Sequence, residues 1–132
     1  MTDLTPQEKQ IIFERDFFFT KAAVIQKVQI LFAEVRQGLQ KLVDEHPNIL
    51  PEEVNKSHFK ISKGENYKGL PYVILDYPAY YTKEDVFAFR AMFWWGNHLS
   101  FSFHLQGMPL LRLKEQLKEK LLNNPNSNFY TA

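Results

Sequence analysis

The stretch from Val86 to Gln106 constrains the fold more than any other part of the chain. Two runs of alternating side chains, Val86 to Trp95 and Leu99 to Gln106, flank Gly96-Asn97. A period of two is that of a β-strand, whose successive side chains point to opposite faces, so the segment reads as an antiparallel hairpin. The parity of its loop decides which side chains share a face, because a slip of one residue exchanges them all. A two-residue loop mixes aromatic and polar residues on both faces. A three-residue loop, Gly96 to His98, sets Trp95 against Leu99, Phe93 against Phe101, Ala91 against Phe103 and Phe89 against Leu105, and one face becomes wholly apolar. Burial of one face favours the odd loop, a common hairpin class.

The same register defines a second, polar face. It carries Ala88, Arg90, Met92 and Trp94 on one strand and Ser100, Ser102, His104 and Gln106 on the other, with Arg90 expected opposite His104 and Trp94 opposite Ser100. A guanidinium, an imidazole, two hydroxyls and an indole on one face suit an anion or a polar planar ligand. Asp76 and Tyr77, on the preceding strand, are candidates to join them, Asp76 as the carboxylate partner of Arg90. A sheet covered on one side ordinarily shows water a polar second face. Trp94 and Met92, however, add apolar surface that points to a lid, a ligand or a partner.

Upstream, the periodicity is helical. Thr5, Pro6 and Glu8 form a helix start, with Thr5 capping, Pro6 at the first helical position and Glu8 closing a capping box. The first helix is expected to reach Phe18. Its apolar residues Ile11, Ile12, Phe13, Phe17, Phe18 and Phe19 cover more than half the circumference, which suggests contacts on two sides. Thr20 is expected to cap a second helix that runs to Glu45, before His46-Pro47 ends it. Along it, Val24, Val28, Leu31, Val35, Gly38 and Leu42 make a heptad seam, widened by Ile25, Phe32 and Leu39. That seam fits a helix lying on a sheet, or one that also pairs with its copy in a homodimer. After the linker from Pro47 to Lys56, alternation returns at Phe59 to Ser62 and at Tyr72 to Tyr77, two short strands joined by a loop from Gly64 to Pro71. Pro78 is expected to break the second strand, and Thr82 to Asp85 to form a helical turn. Leu110, Leu113, Leu117 and Leu121 mark a last amphipathic helix, and Phe129-Tyr130 lie in a polar tail.

These elements predict an α+β fold in one domain spanning residues 1–132. A helical part (1–46) precedes a four-stranded antiparallel meander (57–106) and a C-terminal helix (109–124), with the helices on one face of the sheet.

Composition removes whole classes of chemistry. With no cysteine among 132 residues, disulfides, thiolate metal sites and cysteine nucleophiles are excluded, and a reducing, cytoplasmic setting is the expectation. Sixteen Lys and Arg against fifteen Asp and Glu leave no field to attract nucleic acid or an anionic membrane. Residues 50 to 70 carry four lysines against three glutamates, too even for a phosphate track. No basic segment leads into an apolar one at the start, and no run of 18 apolar residues occurs. Gly64 and Gly69 mimic the spacing of a phosphate loop, but Leu70 and Pro71 stand where its Lys and hydroxyl belong. His46, His58, His98 and His104 show no metal-ligand spacing, so neither metal nor cofactor is expected. A Ser102, His104, Asp76 triad lacks a nucleophile elbow.

The leading expectation is therefore a non-catalytic binding or protein-interaction module, a homodimer through the long helix or the Trp94 and Met92 face. The alternative is a small enzyme or anionic-ligand-binding protein using the polar face, with His104 as acid–base and Arg90 as anion clamp.

Overall fold

The computed structural model describes residues 2–124; Phe129 and Tyr130 lie outside them. The element order is α1 (Pro6–Ile12), α2 (Arg15–Glu45), β1 (Lys60–Tyr67), β2 (Leu70–Tyr81), β3 (Val86–Trp94), β4 (Leu99–Gln106) and α3 (Met108–Leu122). The strands form one antiparallel sheet in the order β1-β2-β3-β4, so the α+β class and the meander expected from the pattern are present.

Helix α1 starts as its sequence dictates. The Thr5 side chain accepts from the Glu8 amide at 3.1 Å, and the Glu8 carboxylate accepts from the Thr5 amide at 2.7 Å. The first helix stops at Ile12, however, and the second begins at Arg15 rather than at Thr20. Thr20 costs a helix interior only a fraction of a kcal/mol, too little to interrupt a helix that has no Gly or Pro nearby.

Helix α2 is 31 residues long, roughly 46 Å at 1.5 Å per residue. The stripe that meets the sheet is Ile25, Val28, Phe32, Val35, Leu39 and Val43, spaced 3, 4, 3, 4, 4. The side chains that had seemed to widen the seam are thus its centre, while Leu31 and Leu42 are exposed. The heptad period was correct and its phase was not. Rotation by one residue places Phe32, the largest apolar side chain of the middle turns, into the core, where it is fully buried. Around it close Val73, Leu75, Tyr77 and Ala91 from β2 and β3.

Two turns and one strand interior depart from expectation for local reasons. Most of the expected loop from Gly64 to Pro71 is strand. The chain reverses in two residues, Lys68 and Gly69, both with positive φ (52° and 86°), the backbone of a type I′ hairpin turn, and Asn66 accepts from the Gly69 amide at 2.8 Å. Pro78 does not end β2. The ladder slips between Asp76 and Ala79, and a bulge is one of the few places in a sheet where a residue without an N–H is tolerated. Thr82 to Asp85 is no helical turn but a tight hairpin connection, with the Thr82 hydroxyl accepting from the Asp85 amide at 2.8 Å.

The β3–β4 register is corrected by two residues. Phe93 faces Leu99, Ala91 faces Phe101 and Phe89 faces Phe103. The loop is three residues long, as expected, but it is Trp95 to Asn97. The Asn97 amide donates to the Trp94 carbonyl and the Trp94 amide to the His98 carbonyl, both at 3.1 Å. Gly96, with φ 73°, takes the third position of the turn Trp94–Asn97, where positive φ is demanded, and this pulls the loop one residue earlier. Because the shift is even, the two faces keep their composition.

Burial is uneven across the apolar face. Helix α2 packs against β1 and β2 and shares its core with Ala91, Phe93 and Trp95 at β3, while Phe87 is buried and Phe89 half-buried elsewhere on β3. Phe101 and Phe103, expected in the core, remain 55% and 45% exposed, although α3 packs against β4 and β3. Helix α3 packs with Pro109 buried and is tied to the loop after α2 by an Arg112–Glu53 ion pair of 2.9 Å.

Candidate functional site

The open face of the sheet carries Lys60, Ser62 and Gly64 from β1, Tyr72, Ile74 and Asp76 from β2, Arg90, Met92 and Trp94 from β3, and Ser100, Ser102 and His104 from β4. Asp76 and Arg90 are direct cross-strand partners. Arg90 Nε donates to Asp76 Oδ1 at 2.8 Å and Nη2 to Oδ2 at 3.0 Å, a bidentate pair with both carboxylate oxygens engaged. Asp76 is buried. Hydrogen bonding to Asp76 is the main reason the Arg90 pKa is raised, so the guanidinium is held more firmly charged. Tyr81 lies against the same pair, and burial first, then the Asp76 charge, raises its pKa.

This geometry leaves the expected constellation in separate pieces. Arg90 faces Ser102, and His104 faces Ala88, so guanidinium and imidazole are not directly opposed. The corrected register moves Ser100 opposite Met92, away from Trp94. Tyr77 points to the other side of the sheet, fully buried beneath α2, where its hydroxyl donates to the Lys56 carbonyl at 2.7 Å. Burial is the leading cause of its raised pKa, with Asp44 adding and Arg36 opposing.

Trp94 belongs to an aromatic group at the turn end of the open face. Its ring lies 5.0 Å from that of Tyr67 and 6.1 Å from that of His98, and its Nε1 donates to the Tyr67 carbonyl at 3.1 Å. Tyr72 packs edge-on to Tyr67 and lies over Gly64, so tightly that a Cβ there would overlap its ring. The aromatic side chain fills the space that the glycine leaves.

Among the described residues no three His, Asp or Glu side chains converge to hold a metal ion, and no helix is long and apolar enough to cross a membrane. The best-formed grooves lie away from the open face. One, of about 410 Å³, runs between α2 and β1 and is lined by Phe18, Lys21, Ile25, Gln29, Lys63 and Glu65, with Lys21 and Glu65 ion-paired across it. The other, of about 400 Å³, sits in the bend from Phe13 to Phe17.

What the sequence reading underweighted is the first part of the chain. Every residue from Thr2 to Thr20 is exposed, including Leu4, Ile11, Ile12, Phe13, Phe17, Phe18 and Phe19. The apolar breadth of this arm was the available signal. It suggested contacts on two sides, yet within the described chain none of the arm's residues is buried. Comparison with protein families, with characterised proteins and with solved structures finds no match.

Proposed function

We infer that this protein is a non-catalytic interaction module that works as a homodimer through its exposed apolar surface. The observation that carries the reading is the arm from Thr2 to Thr20, where seven large apolar side chains stand with none buried. Exposed apolar surface of this extent in one continuous segment is characteristic of an interface. A second uncovered region, Leu99, Phe101 and Phe103 on β4, supports it, and so does a net charge of +1, which opposes self-association only weakly. A cytoplasmic setting belongs to the same reading, supported by the cysteine-free composition.

The ligand-binding and enzymatic alternative draws on the open face. There the strongest charges, Asp76 and Arg90, already satisfy each other, which leaves Arg90 poorly placed to clamp an incoming anion. Sedimentation velocity or light scattering at tens of micromolar tests the dimer. Twice the 15.6 kDa of one chain is expected, and a mass of one chain would overturn the reading.

A further inference from the structure

We propose that two copies of this chain join through their β4 edges, antiparallel across a two-fold axis, with Ser102 facing its own copy. The proposal rests on the homodimer reading above and specifies its seam.

The two edges of the sheet are treated differently. Edge strand β1 is guarded in the usual manner of natural sheets, by Lys60, Lys63 and Glu65 and by a register shift between Gly64 and Tyr67. Strand β4 is eight residues long, and has no proline, no bulge and no Lys, Arg, Asp or Glu. A long, unbulged edge without Lys, Arg, Asp or Glu is a template for pairing with another strand.

The hydrogen-bond phase shows which groups are free. The Trp94 amide donates to the His98 carbonyl, so the pairs bonded to β3 are Trp94 with His98, then Met92 with Ser100, Arg90 with Ser102 and Ala88 with His104. The intervening residues, Leu99, Phe101, Phe103 and Leu105, therefore turn their N–H and C=O groups outward. Among the described residues these groups have no backbone partner. One antiparallel register engages all four residues of each copy. It sets Leu99 against Leu105 of the second copy, Phe101 against Phe103, and Ser102 against Ser102. The side chains brought together on the α2 side include the exposed ones, Phe101 and Phe103. On the other side Ser100 meets His104, and no like charges oppose.

Half-exposed Leu99, Phe101 and Phe103 offer on the order of 300 Å² per copy, taking 150 to 250 Å² for an aromatic side chain. Phe18 borders Lys63 and Glu65 on β1, at the opposite edge of the sheet, so the arm stands apart from this seam, which is carried by the free β4 backbone groups and these three side chains.

The absence of native cysteine makes the test direct. Across a non-hydrogen-bonded antiparallel pair the Cα atoms are about 4.5 Å apart, within disulfide reach. Ser102→Cys should form a covalent dimer under mild oxidation. Ser100→Cys should not, because its copy lies four residues along the seam, about 13 Å away. Phe101→Lys should run as a monomer with an unchanged circular dichroism spectrum, since that side chain is more than half exposed. If the wild type is a dimer yet Ser102→Cys stays a free thiol or Ser100→Cys links equally well, the seam is wrong and the interaction reading stands. A monomeric wild type overturns both.

Discussion

Arg90 holds Asp76 by two parallel hydrogen bonds, of 2.8 and 3.0 Å, across the middle of the sheet. The carboxylate is the sole buried charged group among the described residues, whereas the arginine side chain is 41% exposed. The pair is thus asymmetric, and its two halves should respond differently to removal. Arg90→Ala strands a buried carboxylate. A fully buried pair broken on one side costs about 3–5 kcal/mol, and solvent screening at the guanidinium brings the expectation to about 2 kcal/mol. His104→Ala, on the same face but opposite Ala88, should change stability by under about 0.5 kcal/mol. Urea denaturation of the two variants checks this, and equal effects would contradict the asymmetry.

Gly64 is required by Tyr72. Replacing a strand glycine with alanine ordinarily gains about 0.5–1 kcal/mol. Here the added Cβ would meet the Tyr72 ring, so Gly64→Ala is expected to lose about 1–3 kcal/mol, as overpacked sites do. In a Tyr72→Leu background the loss should shrink toward zero. Thermal unfolding of the four proteins in that cycle measures the coupling, and additive effects would show that the ring does not depend on the glycine.

The parity of the loop at Gly96-Asn97 puts every side chain of the hairpin on its observed face, because one-sided burial tolerates only even shifts of register. It could not fix the register within that parity, which depends on where Gly96 sits in its turn, and so Arg90 was matched with His104 instead of Ser102. Helix α2 repeats the lesson. The heptad period was legible from Val28 and Val35, but its phase was set by which apolar stripe fits the sheet, a tertiary property. Pro78 misled because a bulge exempts it from the ladder. The open face and its Asp76–Arg90 pair were visible as residue types, and the arm only as an excess of apolar surface.

Core and arm phenylalanines should separate cleanly. Phe32 is fully buried, whereas Phe13 is 79% exposed and Phe19 64%. Phe32→Ala should cost about 3–5 kcal/mol, as large cavities do. Phe13→Ser and Phe19→Ser should each change intrinsic chain stability by about 0.5 kcal/mol or less. On the interaction reading they act on association instead, raising the concentration at which dimers form. Denaturation at low protein concentration, set beside sedimentation at high concentration, reads the two effects separately. A large loss of stability from either arm variant at low concentration would mean that the arm packs within its own chain.

Tyr77 ties alkaline stability to the core. Its hydroxyl donates to the Lys56 carbonyl, which a phenolate cannot do, and burial raises its pKa above the ordinary value of 10.0. The folded chain therefore keeps this proton to higher pH than the unfolded one. The stability that follows is full below about pH 10 and is lost as pH climbs through the raised folded value. Tyr77→Phe removes the hydrogen bond and leaves that carbonyl unpaired, at a cost of about 1–3 kcal/mol at neutral pH. It also removes the titrating group. Other tyrosines ionise in the same range, Tyr81 with a raised pKa of its own, so the informative quantity is the difference between wild type and variant. That gap in unfolding free energy should be constant below about pH 10 and narrow above it. A gap that holds steady to higher pH would show that the phenol loses its proton no later in the folded chain than in the unfolded one.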